Sequence, residues 1–188
     1  MKNKRTWLFI LLLLSAAIPV CIICHIFLAH RPAIAEYGGP EGAFEVPVIR
    51  MSQLKYGKGH DYVISVYEFK DSEWKQIASE HLIPQTNDIK LFYADDTGHI
   101  TILYRNDSSE SEQTNQKLLD VNVSESSAQS IFFQDKIILK NKQEHTLLCK
   151  LFDPGSDVPY YPDKEQSFRS YGTGDIKGGF AIAIEQVK

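Results

Sequence analysis

Residues 89–105 read IKLFYADDTGHITILYR, and this stretch decides the fold class. Ile89 to Ala94 is an apolar run with two aromatics. Asp95-Asp96-Thr97-Gly98 supplies turn chemistry, and His99 to Arg105 returns with β-branched residues. Two such runs around a short Asp/Gly turn specify an antiparallel hairpin, because Asp and Gly tolerate the dihedrals a tight turn needs.

The same signature recurs on both sides. Toward the N-terminus, Tyr62 to Phe69 (YVISVYEF) is dense in β-branched and aromatic residues. Asp71-Ser72-Glu73 then turns the chain, and Trp74 to Ile83 returns. Toward the C-terminus, strands are expected at Lys117–Val123, Ser130–Leu139 and His145–Phe152, and Phe180 to Val187 (FAIAIEQV) alternates and closes the domain. Asn106 to Gln116 is polar and reads as a solvated loop. Strands recur at the roughly 8–12-residue spacing of a sandwich or barrel. No segment after the N-terminal run sustains a helical period, which argues against a parallel sheet with crossover helices. No fixed repeat marks propeller blades. The expected fold is all-β: an antiparallel β-sandwich over residues 44–188, with a small open barrel as the alternative, following one N-terminal apolar helix.

That helix is expected over residues 7–29. Lys2, Lys4 and Arg5 lie in residues 1–6, and the run from Trp7 to Ala29 follows. About twenty apolar residues in a helix span a bilayer. The basic flank predicts a cytoplasmic N-terminus and an exported remainder. Two fates are open: a retained single-span anchor, or a cleaved signal. Ala33 and Ala35 put small residues at the positions a signal peptidase reads, which would start a secreted chain at Glu36. Residues 30–43 read as a linker, since residues 36–43 are rich in turn formers.

Charge is divided unevenly. Residues 1–35 hold Lys2, Lys4, Arg5 and Arg31 and no acid, so residues 36–188 carry 16 basic and 24 acidic side chains, a net −8. An acidic domain repels phosphate backbones, so nucleic acid is not an expected partner. The expected partners are the membrane, through the N-terminal segment, and a protein or an envelope glycan.

Several motifs invite chemistry that their context does not support. Cys21-Ile22-Ile23-Cys24-His25 matches the c-type haem attachment pattern. It lies inside the apolar run, so no cofactor is expected. Cys149 stands alone in the exported part and reads as a buried packing residue. His30, His60, His81, His99 and His145 contain no i,i+2 or i,i+4 pair, so no local metal site is expected. Asp95-Asp96 lacks the oxygen spacing of a calcium loop. Gly172 to Gly179 is glycine-rich, but a strand follows it and not a helix N-terminus. Asn106-Asp107-Ser108 and Asn122-Val123-Ser124 fit the N-glycosylation pattern.

The long segment from Asp153 to Gly179 holds the candidate ligand-binding residues. Tyr160, Tyr161, Phe168 and Tyr171 interleave with Asp157, Asp163, Lys164 and Arg169. Structureless segments of this length are usually functional or disordered. The aromatics either present a face to a sugar or protein, or pack the segment onto the sandwich. The expected function is a non-enzymatic binding domain. The alternative is an exported hydrolase whose acids and histidines converge only in three dimensions.

Overall fold

Every connection expected from the hairpin pattern is antiparallel in the structure. The computed structural model describes residues 18–21, 32–38, 48–96, 98–106, 115–124, 129–133, 136–152, 167–171 and 176–188. Eleven strands run in chain order: β1 (Ile34–Gly38), β2 (Val48–Lys55), β3 (Tyr62–Lys70), β4 (Glu73–Leu82), β5 (Asp88–Asp96), β6 (His99–Asn106), β7 (Gln116–Asn122), β8 (Gln129–Phe133), β9 (Lys136–Ile138), β10 (Glu144–Phe152) and β11 (Gly178–Gln186). They form a six-stranded sheet of order β7-β6-β5-β2-β1-β9 and a five-stranded sheet of order β4-β3-β11-β10-β8. The two sheets stay separate and do not close into a barrel.

The deciding hairpin is β5–β6. Asp96 pairs with His99, and Gly98 takes φ +83°, a conformation in which glycine has no Cβ to clash. The β3–β4 turn does the same with ordinary residues: Asp71 and Ser72 sit at φ 55° and 69°. Positive φ at both central positions matches the twist of the flanking strands.

The core lies between the sheets. The first sheet contributes Leu54, Ile89, Leu91, Tyr93, Ile100 and Ile102, and the second contributes Ile64, Val66, Leu148, Phe180, Ile182 and Ile184. These positions alternate along each strand, since successive side chains point to opposite faces. Lys150 shares the inward face of β10. It is buried, with its Nζ 5.8 Å and 5.7 Å from the ring centres of Phe152 and Phe180. At one edge, the Ser124 N–H donates to Glu68 Oε1 at 2.7 Å and ties the end of β7 to β3. The edge strands β4 and β7 each carry an irregularity in their pairing. Bulges of this kind blunt edge-to-edge aggregation.

Three expectations about the chain's organisation change. The segment read as a linker, residues 30–43, contributes β1, which pairs with β2 on one side and β9 on the other. The folded unit begins at Ala33 rather than at residue 44. Ala33 and Ala35 are 0% and 3% exposed, so the small–x–small spacing that fits a peptidase site is also strand alternation into the core. Ser130–Leu139, read as one strand, is two: β8 joins the second sheet and β9 the first. Finally, β2 was not separated from its neighbourhood in the sequence, because VIRMSQLK mixes apolar and polar residues without a turn signal.

The expected membrane helix falls mostly outside the described residues. Ile18–Cys21 is helical, and among the described residues no helix is long and apolar enough to cross a membrane.

Candidate functional site

β11 presents two unlike faces. Phe180, Ile182 and Ile184 point into the sandwich, while Gly179, Ala181 and Ala183 point outward. A Cβ on Gly179 would lie 2.6 Å from the Lys150 carbonyl oxygen, so the two backbones approach too closely for any other residue. Small side chains on the outer face leave room for large ones above them. Those come from residues 167–171 and 176, which lie across the outer face as a strap.

The strap is built on a short 3-10 helix, Phe168–Ser170, capped by Ser167. Phe168, Tyr171 and Ile176 are buried against Tyr67, Phe69, Cys149, Leu151, Ala181 and Ala183. The Phe168 ring lies 4.8 Å from that of Tyr67 and 4.9 Å from that of Trp74, which stands edge-on to it. Trp74 in turn packs on Phe69 at 5.3 Å. Tilted and edge-to-face rings at such distances add about 0.5–1.5 kcal/mol per pair beyond area burial. Backbone groups are also satisfied: the Phe168 N–H donates to Thr146 Oγ1 at 3.1 Å, and Trp74 Nε1 donates to the Tyr171 carbonyl at 2.9 Å.

An ionic clasp closes the strap's edge. Arg169 donates from Nε to Glu144 Oε1 at 2.8 Å and from a terminal nitrogen to Oε2 at 3.2 Å. The Tyr67 hydroxyl donates to the same Glu144 Oε2 at 2.5 Å. The guanidinium stacks 4.6 Å from the Tyr67 ring centre and 4.9 Å from that of Phe168. Burial, followed by the Glu144 carboxylate, raises the Tyr67 pKa. The Glu144 carboxylate therefore accepts three hydrogen bonds. It is suited to holding Arg169 rather than to taking a proton from a substrate.

The candidate residues separate accordingly. Phe168 and Tyr171 are 1% and 5% exposed, and they pack the segment onto the sheet. Tyr160 and Tyr161 lie outside the described residues. Cys149 is buried in the same cluster, and burial pushes its thiol pKa up, which fits a packing role. Tyr67, Trp74 and Glu144 were not singled out from the sequence, and Arg169 was read only as one of the charges interleaved with the aromatics. The signal for them was the outward series Gly179, Ala181, Ala183, which implies a bulky cover on that face.

The described histidines are distributed, not clustered. His81 and His99 each have an acid beside them, and His99 has the fuller set of partners. Its Nδ1 lies 2.7 Å from Asn122 Oδ1, and its Nε2 contacts the Asp120 carboxylate, which Lys117 also binds at 2.7 Å. Asn122, then Asp120, raises the His99 pKa. These groups sit on the exposed outer face of the β6–β7 pair. His145 behaves oppositely. Its Nε2 accepts from the Lys140 N–H at 3.2 Å, and burial, then Lys140, lowers its pKa. His81 lies 3.4 Å from Asp61. Among the described residues, no group of three metal-ligating side chains converges. Asp95 and Asp96 are the last residues of β5.

Comparison with protein-family models, with curated proteins and with solved structures finds no match.

Proposed function

We propose that the chain is a membrane-tethered β-sandwich that acts by binding, with its N-terminus cytoplasmic and residues 33–188 displayed on the opposite side. The burial of Ala33 and Ala35 carries this reading. β9 has three pairs with β1: Ile34 with Ile138, Ala35 with Ile137, and Glu36 with Lys136. The Leu139 N–H also donates to the Ala33 carbonyl at 2.9 Å. A peptidase cut after Ala35 would remove that carbonyl, two of the three pairs and two core side chains. A chain that keeps its first sheet whole keeps residues 33–35, which argues against that cut and for a retained tether.

The binding half of the proposal rests on residues 153–166. Phe152 ends β10, and Ser167 caps the strap, so both flanks of this segment are fixed to the second sheet. Binding residues concentrate on loops that a rigid scaffold positions. Tyr160 and Tyr161 fall mid-segment, and aromatic side chains of this kind anchor protein interfaces and stack on sugars. The partner is a protein or an envelope glycan.

The test is the double variant Tyr160→Ala/Tyr161→Ala in the full chain, cross-linked in its own membranes beside the wild type. The proposal expects an unchanged melting transition and loss of the wild-type adduct. An adduct that survives in a folded variant would sink the role of these tyrosines.

A further inference from the structure

A cleft of about 210 Å³ opens where β3 turns into β4. It lies between the last residues of β3, the first of β11, Phe152 at the end of β10 and Ser124 beyond β7. An engineered apolar cavity of about 150 Å³ takes benzene, so this cleft has room for a molecule of amino-acid size. Its opening has a local cause. Gly178 pairs with Phe152, and a Cβ there would lie 3.3 Å from the Phe152 ring, so glycine leaves this wall without a side chain.

The walls combine the apolar ring of Phe152 with charges of both signs: Glu68, Lys70, Asp71 and Lys177. Two of these charges belong to a balanced group at the turn. The Lys75 ammonium donates to Asp71 Oδ2 at 2.9 Å and lies 3.2 Å from Glu73 Oε1, and Lys70 pairs with Glu73 across the hairpin. Lys75, with Lys70 adding to its effect, lowers the Asp71 pKa. Two lysines and two acids cancel there. Glu68 and Lys177 remain, one of each sign. Glu68 Oε1 accepts the Ser124 N–H at 2.7 Å, and its Oε2 accepts no hydrogen bond among the described residues. The exposed Lys177 ammonium has no hydrogen bond or ion pair among the described residues. Opposite charges therefore line one cleft without bridging it. Apolar lining with a few placed polar groups is the usual make-up of a small-molecule site.

We propose that this cleft binds a free α-amino acid with an apolar side chain. Its ammonium donates to Glu68 Oε2, its carboxylate accepts from Lys177, and its side chain lies against Phe152. A zwitterion completes both charges at once, and charge-assisted hydrogen bonds are the strong ones. The proposal rests neither on the tether nor on residues 153–166.

The test uses the full chain in nanodiscs and saturation-transfer NMR, which observes the ligand, with empty nanodiscs as the blank. Valine, leucine and phenylalanine are the probes, and N-acetylleucine and leucinamide each lack one charge. At least one of the three amino acids is expected to bind, leucine among them, with each blocked form weaker by about tenfold or more, the worth of one hydrogen bond to a charged group. Glu68→Gln keeps an acceptor for the Ser124 N–H and removes the charge. It and Lys177→Ala are each expected to weaken leucine by a similar factor with an unchanged melting transition. Absence of signal from all three amino acids would overturn the proposal. So would blocked forms that bind as tightly as leucine, or folded variants that bind it as the wild type does.

Discussion

The two faces of the second sheet are covered in opposite ways. Inward, large residues of β11 meet large residues of the first sheet. Outward, Gly179, Ala181 and Ala183 meet Phe168, Tyr171 and Trp74 from the strap and the neighbouring strand. The inner cover is a sheet, continuous and cooperative. The outer cover is one short segment held by a ring stack, two backbone-directed hydrogen bonds and one ionic clasp. The contrast shows that a strand's small residues carry as much structural information as its large ones. They state that something bulky must arrive from elsewhere in the chain.

The largest test of this comparison removes one residue from each cover. Phe168→Ala is expected to cost about 3–5 kcal/mol and Ile182→Ala about 2–5 kcal/mol, read by denaturant unfolding. Comparable losses would put the strap on a par with the core. A Phe168→Ala cost below about 0.5 kcal/mol, the range of ordinary surface substitutions, would mean the strap is a decoration.

The clasp is a smaller part of the same cover. Arg169 is 48% exposed and Glu144 25%, so solvent screens the pair. Glu144→Gln should cost about 1 kcal/mol at low salt, and less as salt rises. A salt-independent loss would mean that the Tyr67 hydrogen bond, not the ion pair, carries the effect.

A third substitution sharpens the inner side. The Tyr62 hydroxyl is buried in the inter-sheet core with no hydrogen-bond partner among the described residues, and burial raises its pKa. Tyr62→Phe is therefore expected to leave stability unchanged or raise it by about 1 kcal/mol, by removing an unsatisfied polar group. A clear loss of stability would reveal a partner for the hydroxyl.

The smallest expected effect is in the pH dependence, where His99 and His145 have opposite signs. The folded pKa of His99 is raised, so its contribution is full below the unfolded value of about 6.5 and is lost as pH rises through the folded value. The folded pKa of His145 is lowered, so its contribution is present above that unfolded value and is lost as pH falls through the folded one. Ring-proton titration by NMR should place the two midpoints on opposite sides of the unfolded value. Midpoints on the same side would contradict the hydrogen bonds assigned to these rings.

Much of the fold was legible locally. The β3–β4 and β5–β6 hairpins and the alternation of β11 follow from turn chemistry and period-2 patterning, and the structure keeps them. What escaped the sequence depends on non-local partners. β1 is short, and its Ala35 and Gly38 read as part of a linker until β2 and β9 enclose it. The β8–β9 break falls at Gln134-Asp135, a short polar interruption between two apolar runs, and only the sheet each half joins reveals it as a break. For Phe168 and Tyr171 the sequence left both packing and a ligand face open, because a loop aromatic looks the same in sequence whether it faces a ligand or a sheet. The Glu144–Arg169–Tyr67 clasp joins residues far apart in the chain, and no local pattern announces it.

The central proposal is that the chain keeps residues 33–35 for its fold and the apolar run before them as a tether. Its most direct test is the intact mass of the protein recovered from native membrane and soluble fractions. The account predicts a carbonate-resistant membrane species whose N-terminus lies upstream of Ala33. A soluble, folded species beginning at Glu36 would contradict it.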